Sequence, residues 1–477
     1  MLRTIRQMGA SMTQRQGRDW GLALPARLAF PAMLMLVALL RYVSPIGDPD
    51  TFWHVRTGHW IRDAWQFHGP DPFTRTATVD WTLHEWIPEL AMSVADDVWG
   101  MRGLIMFKIV SLALLMLTIY WVCRQRSSIL VAGFVTGATV AAMSSSISPR
   151  PQMLTFVLTL LAVHGWLASA QDGRPRWWLV ALSWVWASSH GMWFVGVMVG
   201  IAVVLGSLLD RAGSRRWFGK AGLILLCQVA AAAAGPAGWH VLTAPLRVSA
   251  TTALISEWRP ASLMDVAFAI FVSLAGLVVI LWSRRTERVT WRALMLLALS
   301  AGLALIGVRL VAVGAAVLAP VAASAIEEAL EYRRERVSST EVAATSLGIL
   351  LGIAGALLLV ASMARPVSWG PAGLVDELAT VPPGATVCNS YGLGGWLLYV
   401  APNLLPVVDG RSEIYAPTHV ATSMAMESGA GWREFADTHD CSVALLDSDA
   451  PAIELFTAVG GWTPVATADG YTLLRRP

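Results

Sequence analysis

Eleven long apolar stretches constrain the fold of this chain more than any other feature of its sequence. A helix needs about 20 mostly apolar residues to cross a bilayer. With 55% hydrophobic and only 14% charged residues, the chain carries much less charge than soluble proteins, in which about a quarter of residues are charged. The sequence therefore predicts an α-helical polytopic membrane protein. The predicted spans are 26–43, 103–123, 128–148, 152–169, 177–190, 193–209, 217–234, 263–282, 293–308, 310–326 and 342–363.

The distribution of basic residues predicts the orientation of these spans. Lys and Arg accumulate in cytoplasmic segments. With the N-terminus inside, more than half of the 35 Lys and Arg residues fall in cytoplasmic segments, and an odd number of spans then puts the C-terminus outside. We expect a cytoplasmic segment 1–25 before an uncleaved first span, a transmembrane domain 26–365 and an extracytoplasmic domain 366–477. The long loop 44–102 then lies on the outer face.

The last hundred residues have a different pattern. Short strands are predicted at 386–388, 405–408, 442–446 and 471–474, with a helix at 432–439. A small α/β domain of this length can bury its own core. Cys388 and Cys441 both fall in it, where a disulfide and two buried free thiols are both compatible with the sequence.

Loop 44–102 carries an unusual polar segment directly after the first span, from Gly47 to Gly58. We expect two helices in this loop, 51–65 and 86–99, the second lying along the membrane surface. Asp50 and His54 are four residues apart and share one helical face. Asp50 is a candidate general base, a helix cap, or both.

Other charged residues crowd the same predicted face of the membrane. Asp48 is the second candidate base or shapes the turn at Pro49, and Arg56 follows in the same helix. His84 and Glu85, with Asp50 and His54, have the donor types of a divalent metal site, although their spacing matches no sharp metal motif and hydrogen bonding is the favoured role.

Two arginines and two further polar residues reach this face from the spans. Arg150 and Arg309 lie at span ends, where they bind a lipid phosphate or extend towards headgroups. We favour the phosphate because both share a side with the acidic loop. His190 and Glu257 arrive there too, as structural residues or substrate contacts. The turn 409–415 either is a tight turn or closes over the site, and we favour the turn.

These motifs together resemble those of a family of bacterial multi-span membrane proteins related to the C-type glycosyltransferases. The resemblance covers nearly the whole chain. The motifs that carry it are Asp48-Pro49-Asp50-Thr51-Phe52-Trp53-His54 with Thr57-Gly58, Asp71-Pro72-Phe73-Thr74, Trp81, His84-Glu85-Trp86, Pro149-Arg150-Pro151-Gln152, His190-Gly191, Glu257-Trp258, Arg309, Asn389-Ser390-Tyr391, Gly394-Gly395-Trp396 and Val408-Asp409-Gly410-Arg411 with Glu413 and Tyr415.

The resemblance implies a function and a mechanism. It implies a sugar donor linked to polyprenyl phosphate, transfer on the outer face of the bacterial inner membrane, and inversion at the anomeric carbon. The catalytic base then maps onto Asp50, with Asp48 second, and Pro49 separates two acidic residues that are often adjacent in the family. Arg150 or Arg309 would neutralise the leaving phosphate.

The sequence-based hypothesis is therefore a membrane glycosyltransferase that acts on an envelope glycan, lipid or protein. The alternatives are a transporter or flippase of lipid-linked glycans and a non-catalytic envelope assembly protein. A divalent metal is possible, and no other cofactor is indicated. No basic run with interleaved aromatic residues indicates nucleic-acid binding.

Overall fold

The computed structural model describes residues 22–244, 256–330, 335–363 and 369–477. Most of the predicted N-terminal segment 1–25 lies outside the described residues. In chain order the α-helices of four residues or more among these residues are α1 (Leu24–Arg41), α2 (Asp50–Ala64), α3 (Trp86–Trp99), α4 (Met101–Arg124), α5 (Ile129–Ala142), α6 (Gln152–Asp172), α7 (Trp178–Ala187), α8 (Phe194–Leu209), α9 (Arg215–Ala233), α10 (Val266–Ser283), α11 (Trp291–Ile306), α12 (Val311–Leu330), α13 (Ser339–Ser362), α14 (Val375–Leu378), α15 (Leu393–Val400), α16 (Pro417–Glu427) and α17 (Trp432–Thr438).

Each of the eleven predicted spans contains a helix. By length and composition, seven helices in the described part of the chain can cross a membrane. The others are the shorter apolar helices α5, α7 and α11, and α9, which starts with Arg215, Arg216 and Lys220. The predicted helical, polytopic fold is confirmed.

The helix α12 forms the centre of the bundle. Within its span, 94% of the residues are buried, against 28% for α13 at the periphery. Its Ala-rich sequence explains this position, because small side chains let neighbouring helices approach closely. At Gly314 the neighbouring helix α11 is so near that Ser300 donates a hydrogen bond to the Gly314 carbonyl at 2.8 Å.

Loop 44–102 folds into α2 and α3, as predicted. The helices pack tightly at Gly58, where a Cβ atom would overlap the backbone of Glu89. A short antiparallel pair, β1 (His68–Gly69) and β2 (Trp81–Thr82), lies between them.

The predicted capping role of Asp50 is wrong. The helix α2 already includes Asp50, Pro49 is its N-cap residue, and no side chain caps it. Instead Asp48 Oδ1 accepts a hydrogen bond from the Asp50 backbone N–H at 3.1 Å. Asp48 therefore shapes the turn, and the Asp50 side chain is available for other contacts.

The C-terminal region (369–477) contains a five-stranded mixed sheet. Its strands are β3 (Thr386–Asn389), β4 (Leu405–Pro406), β5 (Cys441–Asp447), β6 (Thr463–Ala468) and β7 (Tyr471–Arg475), in the order β4-β3-β5-β7-β6. The pairs β3–β4 and β3–β5 are parallel, and β5–β7 and β6–β7 are antiparallel. The predicted α/β fold of the C-terminal region is confirmed. Strand β6 escaped prediction because it lies at the sheet edge and has no fully buried residue.

Cys388 and Cys441 form a disulfide between β3 and β5. The bond closes a loop with a sequence separation of 53 residues, so we expect its removal to lower the free energy of unfolding of this region by about 4 kcal/mol. The measurement is denaturant unfolding of Cys388→Ser, with Cys227→Ser as the control because Cys227 is a free thiol. Maleimide labelling of Cys388 in the native, unreduced protein would contradict the pairing.

Candidate active site

A cavity of about 530 Å³ lies where loop 44–102, the ends of several spans and the C-terminal region meet. Most of the charged residues selected from the sequence line it, although they are distant along the chain. The fold therefore brings them together. The ionisable residues of its lining are Asp50, His54, His84, Glu85, Arg150, His190, Glu257, Arg309, Tyr391 and Glu413.

Arg150 is the centre of the charged side of this cavity. Its position between Pro149 and Pro151 places it just before α6, and only 5% of the residue is exposed. The guanidinium forms an ion pair with Asp48. It also lies 3.1 Å from Asp50 Oδ2 and 3.0 Å from Glu257 Oε1. A buried arginine is tolerated here because three carboxylates surround it.

Glu257 joins the two arginines of the site. Its second oxygen, Oε2, lies 3.0 Å from Arg309 Nη1, and the Arg309 guanidinium stacks over the Trp258 ring at 5.8 Å from the centroid. Arg259, the next residue, pairs with Asp265 instead. The two cavity arginines are thus held on either side of one carboxylate, and each guanidinium carries a planar fork of donors suited to phosphate oxygens.

Asp50 has a raised proton affinity. Burial, together with the negative charges of Asp48 and Glu257, raises the pKa of Asp50 to about 6, against the opposing effect of Arg150 and Arg309. A carboxylate with a pKa near the working pH is suited to general-base catalysis.

A second group of residues surrounds Glu85. Three imidazole nitrogens lie around its carboxylate, His190 Nε2 at 3.5 Å, His54 Nδ1 at 3.6 Å and His84 Nε2 at 3.8 Å. Burial raises the pKa of Glu85 to about 7, and burial lowers the pKa of His54. Glu85 is therefore about half protonated at pH 7.

The possible metal ligands differ from those predicted. Among the described residues, one oxygen each of Glu85 and Glu89 and one nitrogen of His54 lie within 4.8 Å of one another. Asp50 and His84 are not in this group. His54 Nδ1 is 2.9 Å from Glu89 Oε1, so these two residues already form a buried hydrogen bond. The favoured role for the predicted residues, hydrogen bonding, fits this geometry.

Arg56 does not line the cavity, unlike the other residues predicted as substrate contacts. It follows His54 by two residues and is therefore about 200° around the helix. Its guanidinium lies over the Phe73 ring instead, 5.4 Å from the centroid. Asp48 does not line the cavity either, and its contact with the site is through Arg150.

The C-terminal region forms one wall of the cavity. The turn 409–415, for which a tight turn is the favoured interpretation and closure over the site the alternative, contributes Gly410, Ser412 and Glu413 to this wall. Glu89 was missed, because it lies within a mostly apolar helix, although its spacing of four residues from Glu85 was a usable signal. The residues that the C-terminal region contributes to the lining are Tyr391, Gly392, Gly395, Gly410, Ser412 and Glu413.

The wall formed by the spans is apolar. Met198 of α8 and Ile306 of α11 line the cavity and are 37% and 59% exposed, and Ile201 and Leu205, which follow Met198 on the same face of α8, are exposed too. The apolar wall is therefore continuous with the surface that these spans present to lipid. Its side chains are Met192, Phe194, Met198, Leu303, Ile306 and Leu310.

The fold of this chain is similar to that of solved C-type glycosyltransferases. The archaeal oligosaccharyltransferase AglB from Archaeoglobus fulgidus, in complex with an inhibitory peptide and a dolichol-phosphate, matches with a TM-score of 0.61 at 14% identity. That match covers 90% of this chain and 69% of the other. ArnT from Cupriavidus metallidurans, bound to undecaprenyl phosphate, matches with a TM-score of 0.51 at 13% identity, over 94% of this chain and 97% of the other. No protein-family model and no curated protein matches the sequence.

Proposed function

We propose that this protein is a membrane glycosyltransferase that moves a sugar from a polyprenyl-phosphate donor to an envelope glycan, lipid or protein. The observation that carries the proposal is the composition of the cavity. Asp50, Arg150 and Arg309 line the same cavity as a wall of apolar side chains that continues to the lipid-facing surface. Such a cavity can hold a phosphate and its hydrocarbon chain together. The similar structures of AglB and ArnT, with a dolichol-phosphate and undecaprenyl phosphate, support the same class of donor.

The arginines bind the donor phosphate in this mechanism. The guanidinium groups of Arg150 and Arg309 donate charge-assisted hydrogen bonds to its oxygens, and these bonds strengthen as negative charge develops on the leaving group. The polyprenyl chain lies along Met198 and Ile306. The positions of both arginines are set before the donor binds, because Glu257 already links them.

Asp50 acts as the base in this mechanism. It accepts the proton of the acceptor hydroxyl while that oxygen forms a bond to the anomeric carbon and the bond from this carbon to the phosphate oxygen breaks. A single displacement of this kind inverts the anomeric centre. Asp48 is the weaker candidate for the base, because its carboxylate is already bonded to Arg150 and to the Asp50 N–H.

The rate of transfer is expected to fall at acidic pH. Since the pKa of Asp50 is raised to about 6, the carboxylate is protonated below that pH and can no longer accept a proton. The rate then falls by about tenfold for each further pH unit. A pH profile of the transfer rate under saturating donor measures this, with circular dichroism to show that the fold persists. A rate that stays constant down to pH 4.5 would exclude Asp50 as the base.

The topology is part of the proposal. We infer a cytoplasmic N-terminal segment 1–25, a transmembrane domain 26–365 that carries the site in loop 44–102, and an extracytoplasmic domain 366–477 in the inner (plasma) membrane of a bacterium. The disulfide between Cys388 and Cys441 supports an oxidising compartment for the C-terminal region, in agreement with the distribution of basic residues.

The decisive experiment uses purified protein in liposomes with radiolabelled undecaprenyl-phosphate monosaccharides and membrane extract as the source of acceptors. We expect release of undecaprenyl phosphate that depends on the acceptor. Movement of the donor between leaflets without cleavage would indicate a flippase instead. Binding of an envelope protein without either activity would indicate an assembly factor.

A transporter or flippase of lipid-linked glycans would need polar residues deep within its spans, and the contacts of Lys108 and His164 do not favour this alternative. Lys108 Nζ donates to Ser44 Oγ at 3.0 Å, and the ring of His164 packs on Trp121 with centroids 4.5 Å apart. Both residues therefore have local structural partners.

A further inference from the structure

Gly410, in the C-terminal region, lies directly against the candidate base. A Cβ atom at this position would overlap Asp50 Oδ1 and would lie 2.9 Å from Trp53 Nε1. The φ of Gly410 is not in the left-handed region, so its backbone conformation does not require glycine. Glycine is needed at this position because a side chain would take the space of the Asp50 carboxylate.

A buried ion-pair cluster holds Gly410 in this position. On its two sides, Asp409 and Arg411 are both fully buried and are joined by a hydrogen bond of 2.9 Å from Arg411 Nε to Asp409 Oδ1. Arg411 also pairs with Asp71 of loop 44–102 and lies over the Trp81 ring at 4.4 Å from the centroid. Removing one partner of such a cluster is costly, so this attachment is rigid.

A second glycine of the C-terminal region approaches the same turn. Gly395 lies in α15, which packs on α2. A Cβ atom at Gly395 would lie 2.9 Å from the Pro49 carbonyl oxygen and 3.2 Å from Trp53 Cδ1. The carboxylate of Asp50 therefore contacts Gly410, and the backbone just before Asp50 contacts Gly395.

We infer that the C-terminal region positions the base, with Gly410 setting the carboxylate of Asp50 against Arg150 and Gly395 setting the turn before it. The inference rests on the proposed function for its consequence in catalysis. Gly410 and Gly395 are positioning residues that act through Asp50. The C-terminal region thus completes the catalytic geometry, and a chain without it would lack a correctly placed base.

The test is Gly410→Ala in the full-length protein. Its methyl group takes the space of the carboxylate, so Asp50 must turn away from Arg150. A displacement of about 1 Å in a catalytic group lowers the rate by about 100-fold. We expect that loss in the rate of sugar transfer, with unchanged binding of undecaprenyl phosphate and a shift of the acidic limb of the pH profile. A merely structural glycine would change the amount of folded protein but not the pH profile.

Gly47→Ala is the matched control. Gly47 belongs to the same loop, and a Cβ atom there would meet no atom within 4 Å. Formation of the disulfide between Cys388 and Cys441 reports correct folding in every variant. If Gly410→Ala does not fold, Gly395→Ala provides the same test with a milder overlap. Transfer within twofold of the wild type by a folded variant, with the same pH profile, would overturn the inference.

A readout without activity separates this inference from the proposed function. Carbodiimide modification of Asp50, quantified by mass spectrometry, is expected to rise in Gly410→Ala relative to Gly47→Ala, because the carboxylate leaves its position between Gly410 and Arg150. If no donor is ever cleaved but this change is seen, the proposed function fails and the positioning contact stands. Unchanged modification in a folded variant would refute the contact.

Discussion

Replacing Asp50 by asparagine is expected to lower the rate of sugar transfer by about a thousandfold, within the range of general-base effects. Asparagine has nearly the same shape but cannot accept the proton of the acceptor hydroxyl. The measurement is the single-turnover rate of undecaprenyl phosphate release in liposomes. Binding of undecaprenyl phosphate should persist, because Arg150 and Arg309 remain in place.

The control for this variant is Asp63→Asn, on the exposed side of the same helix. It removes the same charge far from the cavity and should keep full activity. Asp48→Asn distinguishes the two candidate bases. It should retain part of the activity, because Asp48 shapes the turn and pairs with Arg150. Full activity of Asp50→Asn, or a larger loss in Asp48→Asn, would reject Asp50 as the base.

Replacing Arg150 by glutamine is expected to have the largest combined effect on activity and stability. The side chain is almost completely buried and pairs with Asp48, Asp50 and Glu257. Its loss leaves three carboxylates close together without their shared cation, which costs about 3–5 kcal/mol of the free energy of unfolding. The transfer rate should fall by at least about a hundredfold, because a donor to the leaving phosphate is lost.

The informative comparison is Arg309→Gln. The side chain of Arg309 is 23% exposed and pairs with one carboxylate, so its loss should cost about 1 kcal/mol or less while weakening undecaprenyl phosphate binding. Denaturant unfolding in detergent and a binding titration measure both quantities. Arg150→Lys tests the fork geometry, because lysine keeps the charge but binds phosphate as a point charge. Equal stability losses for the two glutamine variants would contradict the central role of Arg150.

The spans and the loop helices could be predicted because their signals are local. An apolar run long enough to cross a bilayer has few alternatives to a helix, and Trp86–Trp99 was predicted with the bounds that the structure has. The first loop helix starts at Asp50, one residue before the predicted start, and the Asp50 N–H bonds to the Asp48 carboxylate there. Competition between two neighbouring acidic residues for that role is not visible in the sequence.

The composition of the site was predictable only in part. Asp50, His54, Arg150, His190, Glu257 and Arg309 were selected because charged or polar groups at the ends of apolar spans need partners or a function. Glu413 and Tyr391 were not selected, because they lie in a region with the composition of an ordinary α/β domain. Arg56 was selected too but does not line the cavity, because its proximity in sequence to His54 says little about the face it occupies on the helix.

The sequence by itself determined the class of fold, the helical spans and the pool of charged residues near one end of the bundle, because hydrophobicity and helical period act over short distances along the chain. Only the tertiary structure decided which of these residues meet. The contacts of Arg150 with Asp48 and Glu257, and of Gly410 with Asp50, join positions separated by a hundred residues or more. Such contacts depend on how the helices and the C-terminal region pack, and no local pattern encodes that packing.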